Sequence, residues 1–204
     1  IESSPITKAA KQIPQWWRAL PQFTADTPGF PMGTMKNCVG MISYYRDSVA
    51  IPLWSDLWIN VQQNNCRWQF SDRRSEAVSH PLEAQANGFT TTHGHIKLHT
   101  PWLLNTKEEI KWVWSQPIYS FNDEIKDLVL LPGVLDFYHQ HSININLLVP
   151  AYSNKEYLLK LGQVLAHLTP MSDRKVEVVR HLISKEEFGR MYDKGTSISF
   201  INKY

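Results

Sequence analysis

No apolar stretch in the 204 residues approaches the roughly 20 consecutive positions that a membrane-crossing helix needs. The longest candidates, such as Leu128–Leu131, are the length of a strand. Cysteine is scarce. Cys38 and Cys66 are the only two and form no Cys-x-x-Cys arrangement, which favours buried free thiols in a reducing compartment over a disulfide. The nine glycines are dispersed, and neither the phosphate-cradling P-loop nor the dinucleotide pattern occurs. A Gly-x-Ser-x-Gly nucleophile elbow is missing as well. Neither sign of charge dominates. With 21 basic and 19 acidic residues the net charge is +2, so no bulk field draws the chain to nucleic acid or an acidic membrane. Arg73-Arg74 is the one adjacent arginine pair and reads as a solvated turn. The opening Ile1-Glu-Ser-Ser-Pro has no basic-then-apolar leader pattern, and without an initiator Met an upstream segment stays open. A hydrophobic share of 43% and a charged share of 20% belong to an ordinary globular chain and exclude disorder. A soluble intracellular protein is expected.

What the chain has in abundance is tryptophan, eight residues in all. The densest runs are Ile51-Pro-Leu-Trp-Ser-Asp-Leu-Trp-Ile-Asn-Val61 and Lys111-Trp-Val-Trp-Ser115. Burying an indole requires a partner for its N–H, so these β-type runs predict a packed, largely β interior.

Periodicity gives the same answer. Leu57, Ile59 and Val61 alternate, as do Ile96 and Leu98, Trp112 and Trp114, and Ile143, Ile145, Leu147 and Val149. Val49–Leu53, Arg67–Phe70, Tyr157–Lys160 and Val164–Leu168, the last stopped by Pro170, read as further strands. Lys175–Ile183 offers Val176 and Val178 on one face, and Thr196–Tyr204 suits a last strand. Asp72–Gln85 is polar and reads as a loop or one short helix. Helix is predicted within Thr7–Leu20, on one side of Pro14. A short C-terminal helix should follow Ser184, with Glu187 as its capping-box partner. The passage from Pro21 to Gly33 reads as an ordered loop that buries Phe23 and Phe30. The fold expected is mainly β: an antiparallel sandwich, jelly-roll or barrel with short N- and C-terminal helices. Residues 1–34 form a helix and proline-rich segment packed on the body, and residues 35–204 one β-rich domain.

Histidine carries the clearest candidate chemistry. His93-Gly-His95 and His139-Gln-His141 each place two imidazoles two residues apart, on one face if the segment is a strand. Such a pair holds a divalent transition metal in cupin-like oxygenases, with a carboxylate from Asp136 or Glu83 completing the set. The adjacent acids Glu108-Glu109 and Glu186-Glu187 read as solvated faces.

Two resemblances add to this reading. Leu131-Pro-Gly-Val-Leu-Asp136-Phe-Tyr138, followed by a strand and then Gly162-Gln-Val-Leu-Ala-His-Leu, resembles the trimeric dUTPase pattern. That likeness implies a dUTPase-like barrel topology, with Asp136 and Tyr138 at a deoxyribose-binding turn. The Gly-Arg-Ser-Ser motif and the glycine-rich C-terminal arm of that family are missing. Over most of the chain a second series occurs in order: Cys38-Val-Gly, Ile51-Pro-Leu-Trp-Ser-Asp-Leu, Trp68-Gln-Phe-Ser-Asp, Ser79-His80-Pro with Gln85, Pro101-Trp102, Leu131-Pro-Gly with Asp136, and Gly162 through Leu168-Thr-Pro170. Together these resemble an uncharacterised family of tailed-phage proteins of marine and cyanobacterial hosts, from which Val39 departs. The resemblance implies phage origin, a place in the host cytoplasm or the virion, and Asp56, His80, Gln85 and Asp136 as polar positions to test. Asp56 and Gln85 are also suited to satisfying indole N–H or backbone groups. The function expected is binding of a protein partner or self-association, with no nucleic acid and no membrane. A small-molecule enzyme on the same scaffold is the alternative, metal-dependent or dUTPase-like.

Overall fold

The computed structural model describes residues 4–24, 30–62, 65–81, 87–89, 92–120 and 126–196. In chain order the first elements are β1 (Thr7–Lys8), α1 (Gln15–Ala19), β2 (Phe23–Thr24), β3 (Met32–Gly33) and α2 (Val39–Asp47). Then follow β4 (Val49–Pro52), β5 (Leu57–Gln62), β6 (Asn65–Phe70), β7 (Glu76–Ser79), β8 (His93–Leu103) and β9 (Lys111–Ser115). The chain continues through β10 (Val129–Leu130), β11 (Gly133–Asp136), β12 (Ser142–Pro150), β13 (Glu156–Leu159), β14 (Val164–Pro170) and α3 (Lys185–Thr196). All pairings are antiparallel, in sheets ordered β1-β4-β14-β9-β11, β10-β12-β8-β7, β13-β5-β6 and β2-β3. The protein is a β sandwich with short helices and no closed barrel.

Alternation builds the core. From the four-stranded sheet Ile96, Leu98, Ile143, Ile145, Leu147 and Val149 are buried in one cluster, their neighbours on each strand facing the other way. Leu57, Ile59 and Val61 join them from β5, opposite Tyr157 and Leu159 of β13. The five-stranded sheet supplies Trp112, Trp114, Val49, Ile51 and Leu168. Its reverse face carries Ala50, which packs with Met41 and Tyr45 of α2, Trp17 of α1 and Ala9 in a second cluster. The N-terminal helices are thus a layer laid over β4 and β14. Several indoles find the partner that burial requires: Trp54 donates to Ser75 Oγ (2.9 Å), Trp16 to the Tyr119 carbonyl (2.8 Å) and Trp17 to that of Met35 (3.1 Å).

Some segments depart from the sequence reading. The stretch after Met35 opens with a helix, α2, whose hidden face is only Met41 and Tyr45, too sparse a stripe to register as a helical period. Thr7–Leu20 divides into β1, a 3-10 turn and α1, the last starting directly after Pro14. Phe23 and Phe30 are exposed rather than buried, because β2 and β3 pair with each other and not with the body. Within the polar Asp72–Gln85 stretch, Glu76–Ser79 forms a strand because the edge of β8 offers it a ladder. β14 runs through Pro170, which pairs with Trp112. Residues 175–184 belong to no sheet. Ser184 caps α3 as expected, accepting from the Glu187 N–H at 3.1 Å. Residues 197–204, read as a last strand, lie outside the described residues.

Candidate metal centre and candidate binding face

The end of β11 gathers the most chemistry. Asp136 turns the chain: its Oδ1 accepts from the Tyr138 N–H (3.0 Å), and its carbonyl accepts from the N–H groups of His139 (3.3 Å) and Gln140 (2.9 Å). An aspartate side chain that bonds two residues on is the usual device for such a turn. Phe137 anchors the turn in the core beside Trp112, which throws Tyr138 and His139 outward with their rings edge to face, 5.0 Å apart. Glu109, in the loop before β9, then reaches His139, Oε1 lying 3.5 Å from Nε2. One donor atom from each of Glu109, Asp136 and His139 lies within 4.8 Å of the others. Bond lengths to zinc are near ~2.1 Å, so two ligands on a tetrahedral ion sit about 3.4 Å apart. The Glu109–His139 edge already has that length. Glu109 and His139 are exposed, while Asp136 is half-buried and already holds the Tyr138 N–H through Oδ1. Lys111 pairs with Asp136 across β9 and β11, so a competing cation shares this face.

The predicted histidine set is not brought together. His139 lies in a turn and His141 precedes β12, so the two do not share a strand face. His141 Nδ1 is 3.1 Å from the Leu104 carbonyl, tying the exit of β8 to the entrance of β12. His93 pairs with Pro150 at one end of the β8–β12 ladder and Ser142 pairs with Leu103 at the other. His93 and His95 thus stand ten and eight residues from the Leu103 end at which His141 enters, on the order of 26–33 Å of strand. His95 is buried, with Nε2 3.1 Å from Asn146 Oδ1, and its ring packs 5.3 Å from that of His80. Burial holds both His95 and His99 below the ordinary histidine range. His93 Nδ1 lies 2.8 Å from Thr92 Oγ1.

Asp56 serves the backbone. Its Oδ1 accepts from the Leu161 N–H at 2.7 Å, pinning the β13–β14 turn in which Gly162 adopts φ +87°, a conformation that glycine takes without strain. Gln85 and Glu83 lie outside the described residues. The thiols remain free, as expected. Cys38, however, is exposed rather than buried, since it stands before the exposed first residues of α2 and its side chain makes no capping bond. Cys66 is half-buried, and desolvation pushes its thiol up to about 11.

A second candidate lies at the N-terminal end. Phe23 of β2, Met32 of β3, Val39 (75% exposed) and Ile42 of α2, and Phe30 (74%) and Met35 in the backbone between them are exposed. Their backbone is held in place. Thr34 Oγ1 donates to the Pro21 carbonyl, Asn37 Nδ2 to that of Gln22, and Lys36 Nζ to those of Arg18 and Leu20. Lys11, Arg18, Lys36 and Arg46 lie in the same stretch, and Asp47, paired with Arg46, is its sole described acid.

A third group went unforeseen. His167 of β14 is 1% exposed, its Nδ1 lies 2.6 Å from the Tyr44 hydroxyl, and Nε2 has no partner among the described residues. Burial pushes it down to about 4 and raises Tyr44, while burial and the neighbouring Tyr44 push Tyr45 up to about 12. In sequence it stands in an apolar run, where the pairing with a tyrosine 123 residues away leaves no trace.

No protein-family model matches the chain, and no curated protein does. No described helix is long and apolar enough to cross a membrane.

Proposed function

We propose that this protein acts by binding a partner protein through its N-terminal face, in a tailed phage, either within the virion or on a host component. The observation that carries the reading is the set of exposed apolar side chains between Phe23 and Ile42, where side-chain hydrogen bonds tie residues 34–37 back to residues 18–22. Apolar groups grouped in this way mark interaction sites, and a fixed backbone lowers the entropy lost on association. The basic edge selects a partner whose apolar recess is bordered by acidic residues. Phe30→Asp with Met32→Asp tests it: the wild-type chain should be found in purified particles or with one host protein, and the variant should be lost from both. Absence of the wild type from both would refute the reading.

The Glu109–Asp136–His139 cluster supports a second reading, binding of a divalent cation. One imidazole and two carboxylates form a harder donor set than the two-histidine arrangement of oxygenases, suited to Mn(II) or Zn(II). Untagged protein should melt at a higher temperature with either ion, and Glu109→Gln should abolish the increase. No increase would remove this reading.

A further inference from the structure

Residues 175–183, Lys-Val-Glu-Val-Val-Arg-His-Leu-Ile, have the composition of a strand without a sheet, with alternating burial over 175–179 and an exposed remainder. Val176 and Val178 pack against the core while Lys175, Glu177 and Val179 face solvent, the two-residue period of extended chain. Both ends are fastened. The Met171 N–H donates to the Lys111 carbonyl and Arg174 pairs with Glu108 before the segment, and capped α3 follows it, packed on β8 and β12. Between those anchors no backbone group bonds to any other described residue. Val179 is 65% exposed and Leu182 81%. A β-branched segment whose backbone donors and acceptors meet no described partner is a template for another strand, and proteins ordinarily shield such edges.

We propose that residues 175–183 pair antiparallel with the same segment of a second copy, forming a two-fold dimer by sheet extension. Charge selects both the occupant and the register. About a two-fold axis at Val179, Glu177 lies opposite His181, Val176 opposite Leu182, Val178 opposite Arg180, and Val179 opposite itself. No like charges then meet. Shifting the axis to Arg180 opposes two arginines, and shifting it to Val178 leaves Glu177 opposite Val179 with no polar partner. The contact is isologous, so it closes at two copies.

Sedimentation equilibrium over the micromolar range tests this, with an expected mass twice the 23.7 kDa of the chain. Successive strand residues point their N–H groups to opposite edges, so Val179→Pro or Arg180→Pro must remove a donor aimed at the partner. At least one of them should weaken the dimer by about tenfold or more. Neither residue donates to a described backbone group within the chain, so both variants should fold, as a near-ultraviolet spectrum would show. Val179→Cys in a Cys38→Ser, Cys66→Ser background should crosslink to itself on oxidation, since facing strand residues lie within disulfide reach. Phe30→Asp should leave the dimer intact, which separates this contact from the N-terminal face. A monomer throughout, a dimer indifferent to both prolines, or a dimer without the crosslink would overturn the proposal.

Discussion

Lowering the pH should destabilise the protein through His167, by an amount that its burial fixes. Its strand, β14, lies between β4 and β9, and the ring packs against Tyr44 and Tyr45 of α2, ring centres 5.1 and 5.6 Å away. In the doubly protonated ring both nitrogens carry an N–H, and the one on Nε2 faces no described acceptor. The folded protein therefore binds that proton only near about 4, whereas the unfolded chain binds it near 6.5. Because the unfolded state takes the proton first, stability is whole above pH 6.5 and falls as pH drops toward 4. The full interval corresponds to about 3 kcal/mol, of which about 2 kcal/mol is already lost at pH 5. His95 and His99 are shifted the same way by burial and add to the slope. Urea unfolding at pH 7.5 and pH 5.0 measures it, on the wild type and on His167→Gln, which keeps a polar group near Tyr44 but does not titrate. The variant should be less stable at pH 7.5 and should lose about 2 kcal/mol less on acidification. An equal loss in both proteins would refute the reasoning.

Ile145 is fully buried in the main cluster, and Ile145→Ala should lower unfolding free energy by about 3 kcal/mol through lost contacts and a residual cavity, read by denaturant titration. Ser184→Ala removes the cap of α3 and should weaken that helix by about 1 kcal/mol, visible as faster amide exchange at Glu187 with the global midpoint little changed. Phe30→Asp with Met32→Asp should leave thermal stability within about 0.5 kcal/mol of the wild type, since neither side chain is packed. A large loss would mean that the N-terminal face is structural.

The β interior was legible because its signal is local. Ile143 through Val149 and the Trp112–Trp114 pair show their faces in two-residue steps, and the structure buries the residues that alternation selects. β7 was not legible, since Glu76–Ser79 has little apolar content and is a strand only because β8 offers it an edge. The Val176–Val178 alternation was read as a strand, and both side chains do pack on the core, yet among the described residues no strand pairs with it. The site was partly legible. Asp136 and His139 were singled out as ligands of one metal set, but with His141 as the next donor, whereas Glu109, the third group actually beside them, was set aside as solvated. Their meeting depends on the register that puts Gly133 opposite Trp114 and Asp136 opposite Lys111, a long-range choice that spacing cannot express. The two-residue spacing of His139 and His141 misled for the complementary reason: it marks a shared face only on a strand, and the Asp136 turn makes this segment something else.

Photo-crosslinking from position 30 tests the central claim most directly. A photoreactive residue replacing Phe30 should join the protein to one partner during infection, the product should vanish when Met32→Asp is added, and the same group at exposed Lys160 should capture nothing comparable. If position 30 yields no adduct, or the same adducts as position 160, the N-terminal face is not where this protein binds.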